Sequence, residues 1–252
     1  MEKIVVVKIG SRVLVSTQGK IRLAVLSQLA QQVSAVYEAG WHPIIVTSGA
    51  IDCGNGFIGK GTLLEKQVAA MVGQPELMAH WRDAFKQWGM IVGQVLGTHR
   101  DFLTKDMIAV INQALRSGII PILNENDSAS VEEIEAAEHH GDNDALAAIV
   151  AQGIKAKKLI LLSDVDGLFE QNPAENPNAR PIPVVAEITP DIMTLATKLV
   201  SSRPTGMKPK LEAAQMATVA GVTVHLASGN LPDVVTRIIA GIDVPGTTFL
   251  AA

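Results

Sequence analysis

The chain has 252 residues, of which 48% are hydrophobic and 18% charged; this is typical of a compact folded protein and excludes a disordered one. A net charge of −4 argues against a nucleic-acid partner, which would require a basic surface, but leaves room for a small anion bound by local lysines. One cysteine, Cys53, excludes an intramolecular disulfide, and no apolar run is long enough to cross a membrane, so we expect a cytoplasmic protein.

The first part of the chain predicts a strand, a helix and a second strand. Ile4 to Val7 is a β-branched run typical of a strand buried on both faces, and it ends in Lys8-Ile-Gly-Ser11. Apolar positions at helical spacing between Ile21 and Gly40 predict a helix. Ile44 to Thr47 then predicts a strand that ends in Ser48-Gly-Ala50. We expect the two strands to be parallel.

The next stretch combines glycines with helical spacing. Gly54 to Gly61 resembles a Walker A loop but lacks its Ser or Thr, so we interpret it as a mobile loop on the substrate side. A long helical region follows from Leu63 to about Trp88, with a predicted interruption near Gly73–Pro75. Met90 to Leu96 predicts a strand, and residues 105–116 predict a helix.

Carboxylates and amides are most dense after the next predicted strand, Ile119 to Leu123. That strand ends in Asn124-Glu-Asn-Asp127, and Gly141-Asp-Asn-Asp144 precedes a predicted helix. Such a cluster suits a polar small molecule, although Asp and Asn also cap helices for purely local reasons. Another buried strand, residues 158–163, ends at Ser163-Asp164.

The remaining elements complete an alternating pattern. After a proline-rich loop at 171–183, we predict helices from Thr189, at Leu211–Ala220 and at Leu231–Ile239, with strands at Val222–Leu226 and Thr247–Leu250. The alternation predicts a three-layer α/β/α sandwich with a mainly parallel central sheet. Ligands of such sheets bind beyond the carboxyl ends of the strands, where the polar stretches above are expected to meet.

Glycines and lysines near the strand ends indicate phosphoryl chemistry. Gly10-Ser11 and Ser48-Gly49 follow strands and precede helices, as phosphate-binding turns do, although small residues also make tight turns for structural reasons. Lys8 and Lys210 are candidate cations, and either Asp144 or Asp164 would be suited to hold them in place. Adjacent residues of a strand or a helix point in different directions, so we predict no metal site at His139-His140.

Seven segments together resemble the amino acid kinase family, and within it the members that phosphorylate L-glutamate. They are Val7–Ser11, Val46–Ile51, Gly73–Pro75, Gly93–Gln94, Pro121–Asp127, Gly141–Leu146 and Leu161–Leu168, which cover the first two-thirds of the chain. The resemblance implies a single kinase domain at 1–252, with a substrate-binding lobe at about 1–155 and a nucleotide-binding lobe at 156–252.

The resemblance also implies the roles of particular residues. Lys8 and Lys210 would stabilise the transferring phosphoryl group, and Asp144 would orient both lysines. The implied substrate residues are Ser48, Gly49, Asp127 and Asn143, and the implied nucleotide residues are Lys8, Gly10, Ser163, Asp164, Thr205, Gly206, Met207 and Lys210. ATP with Mg²⁺ would phosphorylate the γ-carboxylate of L-glutamate, the first step of proline biosynthesis. A homo-oligomer (dimer or tetramer), with a contact in the Leu63–Trp88 region, and feedback inhibition by proline are further implications.

Two departures from the family pattern keep other functions open. Many members carry a C-terminal PUA domain, which we expect to be absent because the sequence ends after the kinase domain. The family's glycine-rich loop is here Arg203-Pro-Thr-Gly-Met-Lys-Pro-Lys210, in which Pro209 removes a backbone donor. The alternatives are a sister kinase for another carboxylate or phosphate substrate, and a catalytically weak glutamate-binding regulatory protein.

Overall fold

A computed structural model describes residues 3–58, 61–129, 143–173, 175–198 and 206–252. The strands are β1 (Ile4–Ile9), β2 (His42–Thr47), β3 (Ile91–Gly97), β4 (Ile119–Glu125), β5 (Lys158–Ser163), β6 (Leu168–Phe169), β7 (Pro181–Ile182), β8 (Val184–Val185), β9 (Thr223–Ser228) and β10 (Gly246–Phe249). The helices are α1 (Ser11–Leu14), α2 (Leu23–Glu38), α3 (Ala50–Ile58), α4 (Leu63–Lys86), α5 (His99–Phe102), α6 (Lys105–Arg116), α7 (Asn143–Gly153), α8 (Pro190–Lys198), α9 (Met207–Val219) and α10 (Val234–Ala240).

The central sheet has eight strands in the order β3-β4-β2-β1-β5-β9-β10-β8. In the described part of the chain, β10 runs antiparallel to β9, and the other pairings within this sheet are parallel. A separate antiparallel pair is formed by β6 and β7. The predicted mainly parallel α/β sheet is therefore confirmed.

Both faces of this sheet are covered, as the continuous apolar run at the start of the chain predicts. Ile4 and Val6 pack in a core with α6, α7 and α9, whereas Val5 and Val7 pack in a second core with α2, α4 and α10. Successive side chains of a strand point to opposite faces. The same alternation directs Lys8 to the face that α7 and α9 cover.

Residues 54–58 of the glycine-rich segment after β2 belong to α3, so the interpretation of this part as a loop was wrong. A Cβ on Gly54 would lie 1.8 Å from the carbonyl oxygen of Ala69, and a Cβ on Gly73 would lie 1.9 Å from that of Ala50. These two glycines therefore allow α3 and α4 to pack with their backbones in direct contact. These glycines lack a side chain because the two helices pack closely. A single sequence does not show whether a glycine is needed for close packing or for a flexible loop.

The predicted interruption of α4 near Gly73–Pro75 was also wrong, because the helix is continuous with Pro75 inside it. Its start is set by a capping box in which Thr62 and Glu65 bind each other's backbone N–H groups. Similarly, α9 begins at Met207 rather than Leu211 and holds Pro209 in its first turn, where a missing N–H breaks no helical hydrogen bond. No helix among the described residues is long and apolar enough to cross a membrane.

His225 on β9 provides a test of the packing between β5, β9 and β10. Its two ring nitrogens lie 3.2 Å from Lys158 Nζ and 3.0 Å from Thr248 Oγ1. The pKa of His225 is lowered from 6.5 to about 4, mainly by burial and to a smaller extent by the charge of Lys158. As the pH falls, His225 is therefore protonated at a higher pH in the unfolded chain than in the folded protein. The folded state loses stability as the pH falls from the unfolded-state pKa of His225 to its folded-state pKa.

We expect the free energy of unfolding to fall by about 2 kcal/mol between about pH 7 and about pH 5 because of His225. In the His225→Gln variant this loss should be largely absent, since glutamine does not titrate. Urea unfolding of both proteins at the two pH values measures the difference. The same loss in the variant would show that other groups cause the pH dependence.

Candidate active site

The carboxyl ends of the parallel strands bring the predicted polar stretches to one edge of the sheet. Lys8 of β1 lies beside Val46 of β2 and Leu161 of β5 in the strand register. Leu123 pairs with Val46, so Asn124 continues from β4 at the same edge. The predicted convergence of these strand ends is therefore observed.

Two lysines from distant parts of the chain meet one carboxylate at this edge. Lys8 Nζ lies 2.8 Å from Asp144 Oδ1, and Lys210 Nζ lies 3.0 Å from Asp144 Oδ2. Asp144 is completely buried, and Lys8 and Lys210 are 1% and 7% exposed. Asp144 stands in the first turn of α7 and Lys210 in the first turn of α9, so two helices and β1 form the cluster together.

The charge state of Asp144 follows from its two partners. Burial alone raises the pKa of a carboxyl group, but the charges and hydrogen bonds of Lys8 and Lys210 outweigh this and hold the pKa of Asp144 well below its usual range. Asp144 is therefore ionised at neutral pH. The three groups carry a net charge of +1, which suits an anionic ligand.

A network of side-chain amides lies next to this charged cluster. Asn143 Nδ2 lies 2.7 Å from the carbonyl oxygen of Thr47, 3.1 Å from Ser48 Oγ and 2.8 Å from Asn124 Oδ1. Asn124 Nδ2 in turn donates to Gln74 Oε1 at 2.7 Å. The network thus joins α7, β2, β4 and α4 through buried polar groups.

The network leaves one acceptor and one donor without a partner among the described residues. They are Asn143 Oδ1 and Gln74 Nε2, both buried. Buried polar atoms are rarely left unpaired, so such atoms indicate a place where a ligand or water binds. Sequence reasoning gave a role to Asn143 but none to Asn124 or Gln74, although Asn124 belongs to the predicted polar stretch 124–127 and Gln74 to a segment that carried the family resemblance.

A cavity of about 210 Å³ lies beside this network. Its polar lining consists of Gln74, Gln94, Glu125, Asn126, Asp127 and Ser128. Glu125 is buried and contacts His99 Nε2 at the start of α5. The predicted substrate residue Asp127 therefore lines a small polar cavity together with Gln74 and Glu125, to which sequence reasoning gave no individual role.

Asp164, one of the predicted nucleotide residues after β5, pairs with Arg12 rather than with the lysine cluster. Asp164 Oδ2 lies 3.2 Å from an Arg12 guanidinium nitrogen, and Ser163 Oγ donates to Asp164 Oδ1 at 3.2 Å. Burial raises the pKa of Asp164, and Arg12 outweighs this effect and lowers it. Asp144 and not Asp164 is thus the partner of Lys8 and Lys210. Asp164 instead lines a larger cavity of about 790 Å³ together with Arg12.

The turns predicted to bind phosphate differ in what their backbone offers. The N–H of Gly10 donates to the carbonyl oxygen of Leu162 at 2.9 Å, so that donor is not directed at a ligand. Gly49 has a φ of +107°, which favours glycine at this turn. Gly206 immediately precedes α9, and Met207 is the first residue of that helix.

Some predicted residues lie outside the described ranges. They are Thr205, with the rest of 199–205, and the pair His139-His140.

Cys53 has no nucleophilic character in this structure. It is buried, and burial, with smaller contributions from Asp52 and Glu76, raises the pKa of its thiol to about 12. A thiol with such a pKa is uncharged at neutral pH. Cys53 therefore acts as a small apolar residue in the core that contains α4.

The chain belongs to the amino acid kinase family, because the profile described as "Amino acid kinase family" matches residues 3–228. Its fold resembles two solved structures with a TM-score of 0.70 each: isopentenyl phosphate kinase (18% identity, 98% of this chain and 99% of that one) and UMP kinase from Ureaplasma parvum (15% identity, 99% of each). Identities this low show the fold alone. The predicted family is confirmed.

Within the family, the chain is similar to glutamate 5-kinases. It is 37% identical over 255 residues to the glutamate 5-kinase of Caldanaerobacter subterraneus subsp. tengcongensis, covering 98% of this chain and 67% of that protein. It is 40% identical over 235 residues to glutamate 5-kinase 1 of Bacillus subtilis (90% and 63%). It is 38% identical over 259 residues to the glutamate 5-kinase of Clostridium perfringens (99% and 96%). The chain thus spans about two-thirds of two of these relatives and nearly all of the third.

We expect the Asp144→Asn variant to lose roughly 3–5 kcal/mol of stability, because Lys8 and Lys210 stay buried without their carboxylate partner. Chemical unfolding at neutral pH measures the loss. Asp164→Asn is the matched control, since its partner Arg12 is half exposed, and it should cost only about 0–1 kcal/mol. Equal losses in the two variants would contradict a special role for the buried cluster.

Proposed function

We propose that the protein transfers the γ-phosphoryl group of ATP to the γ-carboxylate of L-glutamate, which gives ADP and γ-glutamyl phosphate, the first step of proline biosynthesis. The observation that carries this proposal is the buried Lys8–Asp144–Lys210 cluster beside a cavity lined by amides and carboxylates. The similarity to relatives named glutamate 5-kinase supports the choice of substrate.

The reaction requires positioning and charge compensation more than proton transfer. A side-chain carboxylate is already ionised at neutral pH, with a pKa of about 4.3, so its oxygen attacks the γ-phosphorus without a general base. The bond between that phosphorus and the β,γ-bridging oxygen breaks, and the electron pair leaves with ADP. The low pKa of Asp144 agrees with a role as an anion that holds two lysines rather than as a base.

Lys8 and Lys210 would compensate the charge on the transferring phosphoryl oxygens. They reach Asp144 from different elements, so the carboxylate fixes both ammonium groups before the substrate arrives. Preorganised charges of this kind stabilise a transition state without reorganisation during the reaction. The position of Lys210 within this cluster supports transfer activity despite the substituted 203–210 loop, and thereby favours an enzyme over the regulatory alternative.

The other roles follow from position at the sheet edge. We assign Asp127 and Asn143, with Ser48 and Gly49 of the β2–α3 turn, to glutamate binding, since Asp127 lines the small cavity and Asn143 contacts Ser48. The proposed nucleotide residues Gly10, Ser163, Asp164, Gly206 and Met207 lie next to β1, β5 and α9; the family resemblance adds Thr205, which lies outside the described residues. The two-lobe division near residue 155 remains a prediction.

Mg²⁺ would accompany ATP rather than occupy a site made of protein ligands. Within the described ranges, no group of three His, Cys, Asp or Glu side chains is arranged to hold a metal ion. Asp144 is paired with two lysines, and Asp164 with Arg12. This arrangement fits an ion coordinated mainly by phosphate oxygens and water. When bound, Mg²⁺ neutralises part of the phosphate charge.

Oligomerisation is proposed through one face of α4. Leu64, Val68 and Met71 are exposed and spaced four and three residues apart, which places them on a single helix face. If this face forms a contact in a dimer or tetramer, Met71→Glu should lower the mass measured by sedimentation, and an unchanged mass would contradict the proposal.

Inhibition by proline also remains a prediction, for which an activity titration with proline is the test.

We expect the purified protein to form a hydroxamate from glutamate, ATP, Mg²⁺ and hydroxylamine, because hydroxylamine traps an acyl phosphate. The Lys8→Ala variant should lower kcat at least about a hundredfold, since it removes a charge that stabilises the transition state. Lys3→Ala, an exposed lysine just before the same strand, is the matched control and should retain activity.

Two results would contradict the proposed function. The first is an absence of glutamate-dependent ADP release by the wild-type protein, and the second is a Lys8→Ala variant as active as Lys3→Ala. A parallel screen with aspartate and N-acetylglutamate tests the sister-kinase alternative. A clearly higher kcat/KM for another acid would replace glutamate as the substrate.

A further inference from the structure

We infer that Gln74 is a specificity-determining residue that binds the α-carboxylate of the amino-acid substrate through its side-chain N–H group. This inference rests on the proposed function for the identity of the substrate. The observations that support the role of Gln74 do not involve the lysine cluster. Gln74 is 8% exposed, lines the 210 Å³ cavity, and has an Nε2 atom without a partner among the described residues.

The orientation of the Gln74 amide follows from groups that can only donate. The backbone N–H of Glu125 donates to Asn124 Oδ1 at 3.0 Å, which fixes the side-chain amide of Asn124. Asn124 Nδ2 therefore faces Gln74, at 2.7 Å from its Oε1. With Oε1 engaged in this way, Nε2 is the atom of Gln74 that remains to face the cavity.

The chemistry of the cavity explains why a donor is needed at this place. Glu125 and Asp127 line it, and their carboxylates suit the ammonium group of an amino acid. The α-carboxylate is bonded to the same carbon as that ammonium group, so it must enter the same acidic cavity. There it would be repelled unless a donor receives it, and the buried Nε2 of Gln74 supplies one.

The order of the polar groups places Gln74 at the non-reacting end of the substrate. Asp144, which holds the lysines, adjoins Asn143, and Asn143 reaches Gln74 through Asn124. The γ-carboxylate of glutamate would face the lysine cluster, and the α-carboxylate would face Gln74. A contact so far from the reacting atoms is equally strong in the ground and transition states, so its loss raises KM and spares kcat.

Kinetics of Gln74→Met test the inference, because methionine keeps the length of the side chain without its donor. We expect the KM for glutamate to rise roughly tenfold to a hundredfold, with kcat and the KM for ATP nearly unchanged. Gln74→Glu keeps the oxygen that accepts from Asn124 but replaces the donor by a carboxylate, so glutamate binding should weaken further. This second variant also covers the case in which Gln74→Met fails to fold.

Gln32→Met is the matched control. Gln32 is another buried helical glutamine, whose Oε1 accepts from the N–H of Val235 on the opposite side of the sheet from the lysine cluster. This variant should lose stability but keep the KM for glutamate. An equal rise in KM for Gln32→Met and Gln74→Met, or a loss confined to kcat, would overturn the inference.

The compound 4-aminobutyrate distinguishes a direct contact from a general effect on the cavity, because it is glutamate without the α-carboxylate. Binding of 4-aminobutyrate, measured by calorimetry or by competition with glutamate, should be unchanged in Gln74→Met, whereas glutamate binding falls. A parallel fall for both compounds would contradict the assignment. If the wild-type protein binds glutamate but does not turn it over, the proposed function fails, and the comparison of glutamate affinities still decides the role of Gln74.

Discussion

The buried carboxylate of Asp144 is the constraint on which the site depends. Two ammonium groups cannot share a water-excluded space without an anion between them, because burying unpaired charges costs several kcal/mol each. Lys8, Asp144 and Lys210 come from β1, α7 and α9, so one set of ion pairs ties three elements together. The packing of α7 and α9 against one face of β1 brings the three charged groups together. The ion pairs between these groups in turn hold both helices against β1.

Charge and hydrogen bonding are divided between adjacent residues in the first turn of α7. Asp144 turns to the lysines, whereas Asn143 turns to Thr47, Ser48 and Asn124. Amides have both donors and acceptors and carry no charge, so they can be oriented in a chain without adding to the local field. A cationic region for a phosphoryl group therefore lies directly beside a polar region suited to an amino acid.

The sequence predicted the fold more completely than the site, for physical reasons. Lys8 was identifiable because a buried strand ends at it, and the alternation of β1 then decides its face. Whether Asp144 or Asp164 would meet the lysines was open, since that depends on how α7 and α9 pack. Gly54 and Gly73 were misread because their role requires the backbone of a distant helix. Gln74 lies within a helix and becomes a candidate only when its amide orientation is known.

The helix that carries Gln74 is anchored to the sheet edge at two points. Gln74 accepts a hydrogen bond from Asn124, and Trp81, seven residues later on the same helix face, donates to Thr47 Oγ1 at 3.0 Å. Close contacts at Gly54 and Gly73 fix the same helix against α3. Moving this wall of the cavity would break buried hydrogen bonds and separate close-packed backbones. Under the proposed function this wall belongs to the amino-acid side of the site, which is therefore preorganised before the substrate binds.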